Sequence, residues 1–115
     1  MKKIYVCSSL GEDMQESRKV AERAAVYVLK KGELPIWPMC LLTHLDDDCS
    51  DKRAFIRSAG KALLWMCDEI WVFGEVNREM EEEIHFGKQL NLPIKKIPQN
   101  ELKRLLNEKG GRKNV

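Results

Sequence analysis

The stretch at residues 67–87 reads CDEIWVFGEVNREMEEEIHFG. Its first half is an apolar run typical of a buried strand, from Glu69 to Phe73, and Gly74 begins a short loop. From Arg78 onward the pattern predicts a helix whose first turns carry several carboxylates. In open α/β sheets ligands bind in the crevice at the carboxyl ends of the strands, so the sequence predicts a small-molecule site at this junction.

The same alternation of short apolar strands and amphipathic helices extends in both directions along the chain. The predicted elements are strands at Lys3 to Cys7, Leu34 to Trp37, Glu69 to Phe73 and Pro93 to Ile97, and helices at Met14 to Lys31, Phe55 to Met66, Arg78 to Leu90 and Glu101 to Glu108. Strands separated by helices of this length pair in parallel. We therefore expect an α/β three-layer sandwich. It has a flavodoxin- or Rossmann-like four-stranded parallel sheet of order 2-1-3-4, with helices on both faces.

Turn and cap signals add detail to this arrangement. Asp13 and Glu16 have the spacing of a capping box at the start of the first helix. Two prolines bracket the second strand and place it at a sheet edge. The expected buried stripe of the first helix is Val20, Ala24, Tyr27 and Val28. The second helix is marked by apolar residues at helical spacing: Phe55, Ala59, Ala62, Leu63 and Met66. Residues 39–50 are expected to form a loop.

Length and charge restrict the class of protein. With 115 residues and 43% hydrophobic content, the chain is expected to form one domain at residues 1–106, followed by a flexible basic tail at residues 107–115. The formal charge of +2 is small, which argues against a dedicated nucleic-acid binder. No signal-peptide pattern and no membrane-length apolar run is found, so we expect a cytoplasmic protein with no membrane partner.

Cysteine and histidine positions give little support to a metal site. The four cysteines are widely spaced and lie in or beside apolar segments, which is typical of reduced thiols. Cys40, His44 and Cys49 match no standard zinc spacing. The sequence therefore predicts no metal and no cofactor.

One glutamate of the third helix falls on its apolar side. At about 100° per residue, the apolar arc consists of Met80, Ile84, Gly87 and Leu90. Glu83 lies within this arc, whereas Glu82 points nearly opposite. A carboxylate on a buried helix edge is costly unless it is paired or used. The residues leave two interpretations open: a salt bridge to Arg78 or a neighbouring helix, or a role in a site at the crevice.

The first strand and its loop are expected to form the other half of the crevice. Tyr5 alternates with apolar neighbours, and Ser8, Ser9 and Gly11 make a hydroxyl- and amide-rich turn before a helix. Such a turn is able to hold an anion or sugar hydroxyls, although many α/β proteins begin this way. The alternative is that Tyr5 is a core residue and the serines are turn formers.

Several of these segments together resemble a small branch of the nucleoside 2-deoxyribosyltransferase-like superfamily. The resemblance covers roughly residues 3–97. It rests on Ile4 to Ser9, Gly32 with Leu34 to Pro38, Leu45 to Asp47, Cys67 to Gly74, and Met80-x-x-Glu83-Ile84. It implies a nucleoside pocket lined by a tyrosine, an aspartate and a nucleophilic glutamate. Tyr5 matches the tyrosine and Glu83 the glutamate.

The resemblance implies the remaining ligand contacts as well. Those expected to bind the nucleoside or nucleotide are Ser8, Ser9, Gly11, Asp68, Gly74, Asn77 and Met80. In particular, Ser8, Ser9 and the helix starts after Gly11 and Asn77 would hold sugar hydroxyls or a phosphate. Superfamily members also build pockets at subunit contacts, and Trp65, Trp71 and Phe86 are many large aromatic residues for one small core. We therefore expect a homo-oligomer, at least a dimer.

The chain departs from the superfamily pattern at several positions. Gly60 stands where a catalytic aspartate is expected, Met39 where a histidine is common, and Glu79 where a glycine is common. Ser17 replaces a frequent asparagine. Three classes of function stay open: an N-glycosidase or deoxyribosyltransferase with Glu83 as nucleophile and Tyr5 orienting it, a non-catalytic protein that binds a nucleotide-like ligand as a sensor or for sequestration, and an interaction protein without a ligand.

Overall fold

The structure, a computed structural model, describes residues 1–39 and 52–107. Its four strands are β1 (Lys3–Cys7), β2 (Leu34–Ile36), β3 (Glu69–Phe73) and β4 (Ile94–Ile97). Its four helices are α1 (Met14–Lys30), α2 (Lys52–Leu64), α3 (Arg78–Gln89) and α4 (Gln99–Leu106). The predicted loop at residues 39–50 and the predicted tail lie, apart from Met39 and Asn107, outside the described residues.

The strands form one parallel sheet of order β2-β1-β3-β4. This confirms the predicted order, and β2 with its proline lies at an edge as expected. Because successive strand residues point to opposite faces, β1 divides its side chains between the two layers. Ile4 and Val6 pack with α1, whereas Tyr5 and Cys7 pack with the core formed by α2 and α3.

The two cores have different characters. Below α1 and α4, Tyr27 packs edge to face on Trp71 and Phe73, with ring centroids 6.0 and 5.7 Å apart. Below α2 and α3 the core has smaller side chains around Tyr5, Leu64 and Met80. This second face holds the crevice, since it is where polar groups of β1 and α3 approach each other.

Asp13 is the N-cap residue of α1, at the predicted start of the helix. Its Oδ1 accepts hydrogen bonds from the backbone N–H groups of Gln15 and Glu16, at 3.0 and 3.2 Å. Val20, however, is 40% exposed, and Ala21 is buried in its place. The prediction of Val20 as a core residue is therefore wrong, because the helix buries the neighbouring small side chain, which packs with Met39 and Ile56.

The apolar residues that predict α2 do not all lie on its buried face. Phe55 and Met66 are 50% and 55% exposed, and the helix instead buries Ile56, Gly60 and Leu64. The buried face is turned by one residue, about 100°, from the more apolar one. A glycine on the buried face allows close approach of backbone to sheet, and hydrophobic periodicity does not detect this requirement.

Two further expectations concern surfaces. Trp71 is 5% exposed in the core of its own chain, so it gives no support to oligomer formation. Trp65 is 70% exposed and packs edge to face on Phe86, with centroids 6.3 Å apart. Oligomerisation stays a prediction. In the described part of the chain, every helix is too short or too polar to cross a bilayer.

Candidate functional site

A cavity of about 260 Å³ opens beside the carboxyl end of β1. It lies between α2, α3 and the residues that follow β2. One end is apolar and is lined by Val6, Leu10, Ala21, Trp37, Met39 and Ile56. The other end is polar and carries Tyr5, Ser8, Arg57, Lys61, Glu79, Glu82 and Glu83. The cavity is thus suited to a small ligand with an apolar ring at one end and polar groups at the other.

Tyr5 and Glu83 meet at the polar end of this cavity. The Tyr5 hydroxyl donates to Glu83 Oε2 at 2.5 Å, and the Cys7 thiol donates to Oε1 at 3.4 Å. Tyr5 is fully buried, so the phenol is held by packing. Both carboxylate oxygens are therefore fixed in place by side chains of β1, and the alternative of a salt bridge to Arg78 is not what the structure shows.

The position of Glu83 follows from the way α3 begins. The Asn77 side chain accepts a hydrogen bond from the Met80 N–H at 2.9 Å and so caps the helix. Met80 is buried against the sheet. Glu83, three residues later, lies on the same side of the helix and faces β1. The helical periodicity of the sequence therefore predicted its direction correctly.

Gly60 allows α2 to approach the Tyr5–Glu83 pair. A Cβ atom at Gly60 would lie 2.8 Å from the Tyr5 hydroxyl oxygen and 3.2 Å from Glu83 Oε2. The first distance is shorter than any normal contact between a carbon and an oxygen. The superfamily resemblance expects an aspartate at position 60. In this protein the Tyr5 phenol and the Glu83 carboxylate occupy the space that such a side chain would need.

A family model matches most of the chain. It is described as a domain of unknown function, DUF7768, and it covers residues 2–97. The chain belongs to this family. No curated protein matches the sequence. The matched range includes all four strands and the Tyr5–Glu83 pair, so the candidate site lies within the DUF7768 domain.

Burial changes the acidity of the paired groups. Removal from water raises the pKa of Glu83 to about 7, and the negative charges of Glu79 and Glu82 act in the same direction. The hydrogen bonds from Tyr5 and Cys7 oppose this rise. Burial and the adjacent carboxylate also raise the pKa of Tyr5, which stays a neutral donor. Glu83 therefore exchanges its proton near neutral pH, as is common for functional carboxylates.

This raised pKa predicts a pH-dependent stability. Folding favours protonated Glu83, so its contribution is fully present below the ordinary carboxyl pKa of 4.5 and is lost as the pH rises through about 7. We expect the stability of the native protein, relative to Glu83→Gln, to fall by about 3 kcal/mol over that range. Urea unfolding of both proteins from pH 4.5 to 8 measures this difference. A difference that is flat with pH would contradict the shift.

The other predicted ligand residues fall into two groups. Ser8 lines the cavity. Ser9 and Asn77 do not line it but bind each other, since Asn77 Nδ2 donates to Ser9 Oγ at 3.0 Å. This hydrogen bond joins the loops after β1 and β3, which the sequence predicted to face each other. Met80 is buried behind Glu83. These three residues support the site without lining the cavity.

Gly11 and Gly74 also have structural partners. The Gly11 N–H donates to Ser17 Oγ at 2.8 Å, and its carbonyl accepts a hydrogen bond from Arg53. Gly74 has a φ of 82°, a conformation that favours glycine in the turn after β3. The backbone groups at Gly11 are thus already engaged, which leaves them unsuited to the predicted phosphate contact.

Asp68 lies at the opposite end of the sheet. It precedes β3 and accepts a hydrogen bond from the Lys3 backbone N–H at 2.7 Å. That contact lowers the pKa of Asp68. Since β1 and β3 are parallel, this amino-terminal end is remote from the cavity. Asp68 therefore does not line this cavity, and its predicted contact with a ligand gains no support from the structure.

Four charged residues of the cavity were not predicted from the sequence as site residues. They are Arg57 and Lys61 on α2 and Glu79 and Glu82 on α3. Glu82 was expected to point away from the site, but it lines the outer part of the cavity while remaining exposed. The spacing of Arg57 and Lys61, four residues apart, was a signal that they share a helix face. The apolar residues on another face of α2 concealed it.

Proposed function

We propose that this DUF7768 domain acts at the N-glycosidic bond of a nucleoside or nucleotide, as an N-glycosidase or a deoxyribosyltransferase. The observation that carries the proposal is the Glu83 carboxyl group, held at the cavity by hydrogen bonds at 2.5 and 3.4 Å. Its hydrogen-bond partners in the described structure are two neutral donors, and none of the ion pairs there involves Glu83. Such a group is available for chemistry on a ligand. The superfamily resemblance suggests that the ligand is a nucleoside.

The proposed reaction is a double displacement at the anomeric carbon. A Glu83 carboxylate oxygen bonds to that carbon as the bond to the base nitrogen breaks, and the base leaves with the electron pair and takes up a proton. Water or a second base then attacks the same carbon, and Glu83 is released as a carboxylate. With water, one proton passes to solvent. Tyr5 positions the carboxylate in both steps.

Proton delivery to the leaving base requires a group other than position 60, which is a glycine. Glu79 and Glu82 are the other carboxyl groups that line the cavity. Glu79 lies 3.4 Å from the Arg57 guanidinium and is held in that ion pair. Glu82 is exposed and has no ion-pair partner among the described residues. We therefore assign proton delivery to Glu82, which reaches both solvent and the cavity.

The test is incubation with a panel of nucleosides and nucleotides, followed by chromatography for free base and by thermal unfolding. Release of base supports the proposal. Because attack requires ionised Glu83, the rate is expected to rise with pH to a plateau above about 7. The Tyr5 hydrogen bond lowers the pKa of Glu83, so Tyr5→Phe is expected to move this rise to higher pH. A pH profile unchanged in Tyr5→Phe would contradict the positioning role.

A second candidate is binding of a nucleotide-like ligand without turnover, as a sensor or a sequestering protein. It is favoured by the glycine at position 60, which removes an acid next to the Tyr5–Glu83 pair. Thermal stabilisation by a ligand, without release of base from any member of the panel, would select this function. If no compound of the panel releases base or raises the unfolding temperature, an interaction protein without a ligand is the remaining function.

A further inference from the structure

The two helices that border the cavity carry opposite charges. Arg57 and Lys61 lie one turn apart on α2, whereas Glu79, Glu82 and Glu83 lie on α3. Side chains four residues apart on a helix are neighbours, so the two cations act together. The cavity therefore has one positive and one negative side.

Only part of the positive side is neutralised by contacts within the described residues. Arg57 Nε lies 3.4 Å from Glu79 Oε2, which uses one of the five N–H donors of the guanidinium. In the part of the chain that the structure describes, no carboxylate pairs with Lys61. A cation that lines a cavity beside three glutamates, yet pairs with none of them, is available to an anionic ligand group.

Gly60 shows how near these cations are to the Tyr5–Glu83 pair. The Cβ direction of Gly60 points at the Tyr5 hydroxyl and Glu83 Oε2, at 2.8 and 3.2 Å. Arg57 is three residues before Gly60 and so lies on the same side of α2. Arg57 and Lys61 both line the cavity that Tyr5 and Glu83 line. A ligand that reaches Glu83 therefore has α2 cations next to it.

We infer that Arg57 and Lys61 bind a phosphate group, and that the ligand of this cavity is a phosphorylated nucleoside rather than a free nucleoside. This inference rests on the proposed function and adds the substrate class to it. Arg and Lys both bind phosphate through charge-assisted hydrogen bonds. This site replaces the predicted one at the Gly11 and Asn77 helix starts, whose polar groups are engaged with protein.

The rest of the cavity complements this assignment. Glu79 and Glu82 add carboxylate acceptors to the lining, although Glu79 Oε2 is already paired with Arg57, and sugar hydroxyls are donors to carboxylates. The apolar end, with Trp37, Met39 and Ile56, suits the face of a heterocyclic base. A phosphorylated nucleoside has these three parts joined in one molecule: an anion, a set of hydroxyl donors and a flat ring.

The experiment compares binding of a nucleoside, its 3′- and 5′-monophosphates, the corresponding sugar phosphate and inorganic phosphate, by calorimetry at low salt. We expect a monophosphate to bind about tenfold or more tightly than the nucleoside. Lys61→Gln should remove most of this preference, measured as the ratio of the monophosphate and nucleoside affinities of the same protein. The control Lys88→Gln, an exposed lysine of α3 outside the cavity, should retain it. Sugar phosphate or inorganic phosphate binding as tightly as the monophosphate would show a phosphate site without nucleoside recognition and would overturn the assignment.

The outcomes separate this inference from the proposed function. Equal affinity for nucleoside and monophosphates, with base released, overturns the phosphate site alone. A phosphate preference that Lys61→Gln removes, with no base released from any compound, supports the phosphate site and overturns the glycosidic activity. A preference that persists in both Lys61→Gln and Arg57→Gln places the phosphate elsewhere and overturns the inference.

Discussion

Glu83→Gln is expected to abolish base release while leaving the protein folded. Glutamine keeps the shape and an acceptor oxygen for the Tyr5 hydroxyl, which lies 2.5 Å from the native carboxylate, but it has no anionic oxygen to form the glycosyl bond. The rate should fall by roughly 10³-fold or more. Ligand affinity should change little, because the lost interaction belongs to bond formation rather than to ground-state binding.

Controls for this prediction come from the same helix. Glu81→Gln removes an exposed carboxylate of α3 that does not line the cavity, and it should keep the native rate. Quenched turnover mixtures of the native protein should contain a sugar adduct on the peptide that includes Glu83, by mass spectrometry, and Glu83→Gln should not. A folded Glu83→Gln protein that releases base at the native rate would rule out the nucleophile.

Gly60→Ala is the second substitution with a large expected effect. The new methyl group would lie 2.8 Å from the Tyr5 hydroxyl oxygen, and the Tyr5 side chain is fully buried. We expect overpacking to cost about 1–3 kcal/mol, against roughly 1 kcal/mol gained from the helix preference of alanine. Displacement of the Tyr5–Glu83 pair should lower activity by about 100-fold.

A double-variant cycle separates the clash from other effects of Gly60→Ala. Tyr5→Phe removes the hydroxyl that the methyl group would meet, so Gly60→Ala should be less destabilising in the Tyr5→Phe protein than in the native one. Ser58→Ala, on the exposed side of α2, is the control for the helix itself and should be nearly neutral. Equal costs of Gly60→Ala in the two backgrounds would contradict the contact.

The sequence by itself determined the layered architecture. Apolar runs separated by amphipathic helices gave the parallel sheet, because buried parallel strands and their crossover helices have distinct periodicities. The same reasoning placed Glu83 on the inner face of α3, since the 3.6-residue period of a helix puts Glu83 on the same side as Met80 and Gly87. Strand alternation gave Tyr5 the opposite face from Ile4.

Only the tertiary structure decided which polar groups share the cavity. Asp68 and the Glu83 region are both near β3 in sequence, but they lie at opposite ends of a parallel strand. Arg57 and Lys61 came to the site because α2 turns Gly60, rather than its more apolar face, toward Tyr5. Periodicity reports hydrophobicity along one element. It contains no information on how closely two elements approach each other. Here that approach depends on Gly60, which has no side chain.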